Sequence, residues 1–190
     1  MNLVIFGPPG AGKGTQSNFI AKKFNLFQLS TGALLRREIE NKTKLGSEIL
    51  SIINSGNLVS DQIVSELIEK FIGNKEFKSK LIFDGYPRNL AQAKNLEILL
   101  KNNNQKIDMV LKLSVSLDTI KQRISERKDL ENRPDDDEET AIKRYDTYEK
   151  NSKPVIEFYQ HSGLLRVVNG ERSITEINSE ISALIEAIKG

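Results

Sequence analysis

Lys13 is the residue best placed to do chemistry. It lies in the run Gly7-Pro8-Pro9-Gly10-Ala11-Gly12-Lys13-Gly14-Thr15, after the apolar segment Leu3-Val4-Ile5-Phe6 and before a helical pattern carrying Phe19, Ile20 and Phe24. Glycines let the backbone bend and set bare N–H groups against phosphate oxygens. A helix starting there adds the partial positive charge of its N-terminus. The lysine supplies a full charge to terminal phosphates. The strict pattern has Ser or Thr directly after the lysine; here Gly14 intervenes and Thr15 follows. A glycine-rich turn beside a surface lysine is the plain alternative, and the strand-loop-helix context argues against it.

Further residues fit the same chemistry. In Leu29-Ser30-Thr31-Gly32-Ala33-Leu34-Leu35-Arg36, Ser30 can cap a helix and Arg36 lies two turns in. Arg36 can grip a phosphate with two prongs, or it is solvated as Arg37 is expected to be. Asp84 ends the apolar run Leu81-Ile82-Phe83. A carboxylate there can reach magnesium through water, or simply cap a turn. Gly85 and Pro87 read as a tight turn aiming Arg88 into a cleft. Gln92 has an amide that both donates and accepts, although alone it reads as a surface helix residue. Arg123 and Arg127 are four apart and share a helical face. Arg133 sits in a polar stretch, and Arg144 follows about three turns after an acidic helix start. Phosphoryl transfer needs cations around its spreading charge. Singly, each of these arginines reads as solvated.

The elements that must position these residues are legible in outline. Apolar runs of strand length fall at 3–6, 26–29, 81–84, 109–113 and 165–168. Continuous apolar runs suit strands buried on both faces of a parallel sheet. Helical spacing separates them. Ile63, Val64, Leu67, Ile68 and Phe71 share a face after a Ser60-Asp61 start, and Leu96, Leu99 and Leu100 mark a helix after Asn89. Ile174, Ile177, Ile181, Leu184, Ile185 and Ile188 mark the last. The alternation predicts an α/β domain. Two stretches break the rhythm. Residues 30–60 hold helix patterns without a strand, and 127–137 are polar. Asp135, Asp136, Asp137, Glu138 and Glu139 then favour the positive end of a helix.

Bulk properties narrow the function. The chain has 190 residues, 38% hydrophobic and 28% charged, with a formal net charge of +2. One domain is expected, and the charge balance gives no reason for nucleic-acid or membrane binding. The absence of cysteine removes disulfides and thiolate metal sites, and the single histidine, His161, removes Ser-His and Cys-His catalysis. No apolar run approaches the ~20 residues of a membrane helix, and the N-terminus lacks a signal-peptide pattern. A cytoplasmic protein is expected.

The phosphate loop, with its extra glycine, resembles that of the adenylate kinase family. The blocks Leu29 to Arg36, Leu81-Ile82-Phe83-Asp84-Gly85-Tyr86-Pro87-Arg88 and Asn89-Leu90-Ala91-Gln92-Ala93 resemble the same family in the same order. So do Arg133-Pro134-Asp135-Asp136 through Lys143-Arg144, and the late loop Asn169-Gly170-Glu171-Arg172. The resemblance covers nearly the entire chain. It implies a three-layer α/β fold of the P-loop NTPase type, with a parallel five-stranded sheet and helices on both faces. The expected layout over 1–190 is a core of 1–29, 60–125 and 137–190, an AMP-binding insert at 30–59 and a short lid at 126–136.

The implied reaction is Mg·ATP + AMP ⇌ 2 ADP, with Mg2+ carried by ATP. By the same resemblance Gly10, Ala11, Gly12, Lys13, Gly14, Thr15, Arg123, Arg127 and Arg172 serve ATP. Thr31, Arg36, Asn57, Leu58, Val59, Gly85, Tyr86, Pro87, Arg88, Gln92, Arg133 and Arg144 serve AMP. Lys13, Arg88, Arg127, Arg133 and Arg144 act on the moving phosphate, and Asp84 reaches the metal through water. Gln92 would read adenine, which favours AMP over UMP or CMP. Long-lid relatives often carry zinc in the lid; this short lid has neither cysteine nor histidine, so no zinc is expected. A monomer is expected, with ATP, AMP and ADP as its partners and neither nucleic acid nor membrane.

Two positions depart from the family's pattern. Tyr86 stands where Phe is more frequent. Ala33 stands where Asp is usual; as the third helical residue after Ser30 that acid would complete a reciprocal cap. Asp84 is left as the main acid near the metal. The alternatives are a UMP/CMP or other small-molecule kinase, a nucleotide-binding regulator without turnover, and a guanine-nucleotide switch. The last reads guanine with Asn-Lys-x-Asp. Asn41-Lys42-Thr43-Lys44 and Asn74-Lys75-Glu76-Phe77 both lack the aspartate.

Overall fold

Leu3-Val4-Ile5-Phe6 is apolar at every position because both of its faces are covered. It forms β1 (Leu3–Phe6), the middle strand of a five-stranded sheet. The structure, a computed structural model, describes residues 1–55, 59–131 and 138–188, and for 127–131 and 138 the backbone alone. The other strands are β2 (Phe27–Ser30), β3 (Leu81–Asp84), β4 (Met109–Ser114) and β5 (Leu165–Asn169). Their order is β2-β3-β1-β4-β5, and every pairing is parallel. Alternate side chains part to opposite faces. Val4, Phe6, Phe83 and Val110 pack with α4 (Asp61–Ile72), α5 (Leu90–Asn102) and α7 (Glu138–His161). Leu3, Ile5, Ile82 and Leu111 pack with α1 (Lys13–Phe24) and α8 (Ile174–Ala187). This is the three-layer α/β architecture.

Between β2 and α4 lies a helical hairpin, α2 (Thr31–Glu40) and α3 (Lys44–Asn54). Ser30 Oγ accepts from the Ala33 N–H at 3.3 Å, so Ser30 is the cap that its position predicts. Thr43 caps α3 through Gly46 N–H at 2.9 Å. Gly46 sits so close to α2 that a Cβ there would overlap the Glu38 carbonyl. On the far side, α6 (Leu117–Glu131) meets α7 through Ile120, Ile124 and Ala141.

Three details differ from the sequence expectation. The second strand begins at Phe27, not 26, because the Leu26 N–H still bonds to Ala21 O at the end of α1, while Phe27 N–H pairs with Lys80 O. Ile174 and Ile188 are 60% and 39% exposed; each lies at an end of α8, beyond the sheet it covers. The stretch 127–137, read as polar excursion, begins as helix: α6 continues through Glu131. Among the described residues no helix is long and apolar enough to cross a membrane.

Candidate active site

The C-terminal ends of β1 and β3 open into one cleft, as parallel α/β sheets favour. At the end of β1 the chain turns through Gly10 (φ 81°) and Gly12 (φ 89°), conformations that side chains disfavour. A Cβ on Gly10 would also press on Ile124 and Ile120 of α6, at 3.2 and 3.3 Å. Ala11 N–H donates to Pro8 O at 3.1 Å and closes the turn. Gly12 then enters α1 with no side chain to cap it. Gly10, Ala11, Gly12, Lys13, Gly14 and Thr15 all line the cleft. Lys13 Nζ donates to Gly7 O at 2.8 Å and Pro8 O at 2.9 Å, which folds the ammonium over its own loop.

Across the cleft, Asp84 ends β3 beside Ser30 of β2 and is 7% exposed. Gln28 Nε2 donates to its Oδ2 at 3.0 Å. The chain then turns through Gly85 (φ 79°) and the cis bond from Tyr86 to Pro87. Thr31 is buried, and its hydroxyl donates to Gly85 O at 3.0 Å, so it braces this turn. The Tyr86 ring is buried in the core, which leaves only its main chain for the cleft. Gly85, Pro87, Arg88, Val59 and Arg36 line the cleft directly.

Cations converge here. Lys13, Arg36, Arg88 and Arg144 line one cavity, although they come from four separate elements. Arg88 Nε donates to Gly85 O at 2.7 Å. Burial, then Arg144, push the Arg88 guanidinium down to about 10; Asp84 opposes this and Arg36 adds to it. It stays cationic at neutral pH. The mutual repulsion of these groups makes a site where an anion is favoured.

The late loop and α6 form the outer wall. Arg123 Nη2 donates to Gly170 O at 2.9 Å. Arg172 lines the same cleft and is ion-paired with Glu180 of α8. Glu171 accepts from Ser116 N–H at 2.9 Å and from the Thr119 hydroxyl at 3.2 Å, so it caps α6 from another part of the chain. Those bonds hold its carboxyl below the usual range, with Arg123 adding to the effect.

For the magnesium that the resemblance implies, Asp84 is the one acid lining the cleft among the described residues; Ala33 lines it with no carboxylate to offer. Among the described residues no group of three or more His, Cys, Asp or Glu forms a cage. A single carboxylate at the cleft suits an ion carried mainly by phosphates and water, and Asp84 is the residue that would hold water of that ion.

Arg133, Asn57 and Leu58 lie outside the described residues, as does the side chain of Arg127. Gln92 is not the surface residue that its sequence position alone suggests. It is 3% exposed, and both ends of its amide are hydrogen-bonded within the protein. Gln28, Asp61 and Glu171 were not singled out from sequence as site residues. Asp61 carried only the signal of a helix start, Glu171 only its place in the late loop beside Arg172, and Gln28 none.

Comparison with known proteins places the chain in a family. A family model described as adenylate kinase matches residues 5–164. A protein named adenylate kinase from Pelagibacter ubique is 42% identical, covering 98% of this chain and all of its own length. Another from Bifidobacterium longum is 39% identical over 98% of this chain and all of its own. A third, from Archaeoglobus fulgidus, is 34% identical over the whole of both. With full-length matches on top of a phosphate loop that faces a cationic cleft across a β2-β3-β1-β4-β5 sheet, the chain belongs to the adenylate kinase family.

Proposed function

We propose that the protein transfers the terminal phosphoryl group of Mg·ATP to AMP, reversibly, yielding two ADP, and that the cleft residues divide the work as follows. ATP lays its phosphates on the loop N–H groups of residues 10–15, with Lys13 on the terminal phosphates. Its adenine side lies against Arg123 and Arg172. AMP enters opposite, its phosphate between Arg36, Arg88 and Arg144, its base toward Val59 and Gln92. The bond between the γ-phosphorus and the β-bridging oxygen breaks as an AMP phosphate oxygen bonds to that phosphorus. No covalent enzyme intermediate forms.

The catalytic contribution of the chain is placement and charge. Holding two nucleotides in line converts an encounter into an internal step. The cations act on the equatorial oxygens where charge spreads during transfer. Members of this family work with nucleotide-bound Mg2+, which neutralises phosphate charge when present. Asp84, oriented by Gln28, would hold water of that ion. No general base is needed, which suits a chain whose only histidine lies exposed at the end of α7. Arg127 belongs to the ATP and transfer contacts, Arg133 to the AMP and transfer contacts, and Asn57 and Leu58 to the AMP contacts, by family pattern. The insert at 30–59 and the lid at 126–136 would close over AMP and ATP respectively. A cytoplasmic monomer acting on ATP, AMP and ADP completes the reading.

The observation that carries the site assignment is the meeting of Lys13, Arg36, Arg88 and Arg144 around one cavity. A coupled assay offering AMP, UMP, CMP, GMP or no acceptor tests it. AMP should be the preferred acceptor, and turnover without acceptor should be negligible. Equal rates with UMP or CMP would move the substrate assignment; ATP hydrolysis without acceptor would remove it.

A further inference from the structure

The Gln92 amide is held from two sides. Its Oε1 accepts from the Arg88 main-chain N–H at 2.6 Å. Its Nε2 donates to Asp61 Oδ1 at 2.7 Å. Asp61 is the first residue of α4, and each of its oxygens also accepts from Asn89 Nδ2 at 3.0 Å. Asn89 Oδ1 in turn accepts from the Gln92 N–H at 2.8 Å. The start of α4 is thereby tied to the start of α5 around one buried amide.

The two partners of that amide are opposite in kind. A main-chain N–H only donates, and an ionised carboxylate only accepts. Turning the amide over would set donor against donor at Arg88 and acceptor against acceptor at Asp61. Its orientation is thus dictated by its neighbours, which is how an amide is correctly assigned. After these two bonds, one N–H and one oxygen lone pair remain to the side chain.

We infer that Asp61 is a positioning residue for acceptor-base choice: it locks Gln92 in the orientation that matches a 6-aminopurine and mismatches a 6-oxopurine. This rests on the reading of Gln92 as the adenine contact. Adenine offers a ring-nitrogen acceptor beside an amino donor. A 6-oxopurine offers the reverse, an N–H beside a carbonyl acceptor. A glutamine free to turn serves both edges. A pinned one serves only the first, because the second leaves desolvated polar groups facing like groups.

Steady-state kinetics of the full chain with AMP and IMP, at saturating Mg·ATP, test the inference. Asp61→Asn releases one of the two pins: the new amide can donate to the Oε1 of a turned Gln92 while its own oxygen accepts from Asn89, and only the Arg88 N–H still opposes turning. The ratio of kcat/KM for AMP over IMP should fall several-fold, through a lower KM for IMP, with KM for ATP unchanged. Asn89→Ala loosens the same corner but keeps the Asp61 carboxylate, and its AMP:IMP ratio should stay near the parent's. If Asp61→Asn leaves the ratio unchanged, or Asn89→Ala lowers it equally, the inference is overturned. Gln92→Leu separates the two readings. If it raises KM for AMP while Asp61→Asn leaves the ratio untouched, only the role of Asp61 falls. If it leaves KM for AMP unchanged, Gln92 is not the base contact and both readings fall.

Discussion

The phosphate loop hangs from β1, where all four residues are buried, whereas Arg36 stands on α2, where only Thr31 and Leu35 are buried. In the proposed reading, the backbone of a loop anchored on a buried strand holds the donor, and long side chains, one of them on a two-helix hairpin, hold the acceptor. That hairpin has few buried residues of its own: α3 adds only Gly46 and Ile49. Segments with few buried contacts open at lower free energy than the core. The phosphate loop is therefore the firmly held part of the proposed site, and the acceptor hairpin is expected to adjust more readily.

The comparison can be broken most forcefully at Lys13. Lys13→Ala should lower kcat by ~10²-fold or more, the scale of losing one preorganised charge contact. The unfolding midpoint should barely move, since the loop is held by β1 and α1. Near-normal turnover in a folded variant would remove Lys13 from the chemistry.

On the acceptor side, Gln92→Leu should cost about 1–3 kcal/mol of AMP recognition. KM for AMP should rise far more than KM for ATP; equal effects would place Gln92 elsewhere. Gly46→Ala should separate α2 from α3, because the added methyl overlaps the Glu38 carbonyl. Overpacking of this type costs about 1–3 kcal/mol. If the insert is independent, KM for AMP rises several-fold while KM for ATP and the global unfolding midpoint hold. A fall in the global midpoint would mean the insert is part of the core.

Hydrogen exchange sharpens the contrast without mutation. A bisubstrate mimic joining two adenosines through phosphates should add more protection across 31–54 than across the five strands. High protection of that hairpin before ligand is added would contradict an adjustable acceptor side.

The smallest effect concerns the outer wall. Ser116 and Thr119 hold the Glu171 carboxyl below its usual range, and Ser173 does the same for Glu176 in the capping box of α8. A depressed folded value means the unfolded chain binds more protons. The stabilisation is present above the ordinary carboxylate range and is lost as pH falls through the depressed values. Thermal unfolding of the parent and Glu171→Ala should differ at pH 7 and converge on acidification. A difference independent of pH would assign Glu171 no charged role.

Local patterns were legible where the causes are local. The apolar run 3–6, the glycine loop, the Ser30 and Asn89 caps and the spacing of Val64 and Ile68 each depend on residues within a turn or two. Register at β2 was one residue off because the bond that decides it runs from Phe27 to Lys80. Family motifs supplied the remaining site residues, including Gln92, whose burial no spacing reveals.

From sequence alone came the parallel α/β class and the phosphate loop. Burial on both faces and glycine geometry leave marks in the chain itself, whereas the acceptor blocks were legible only through their resemblance to the family. Only the tertiary structure brought Lys13, Arg36, Arg88 and Arg144 around one cavity. It alone paired Gln28 with Asp84, Glu171 with Ser116 and Asp61 with Gln92. Those partners lie 56, 55 and 31 residues apart. Polar side chains meet at such distances only where the packed sheet and helices place them, and nothing in their immediate neighbours specifies the meeting.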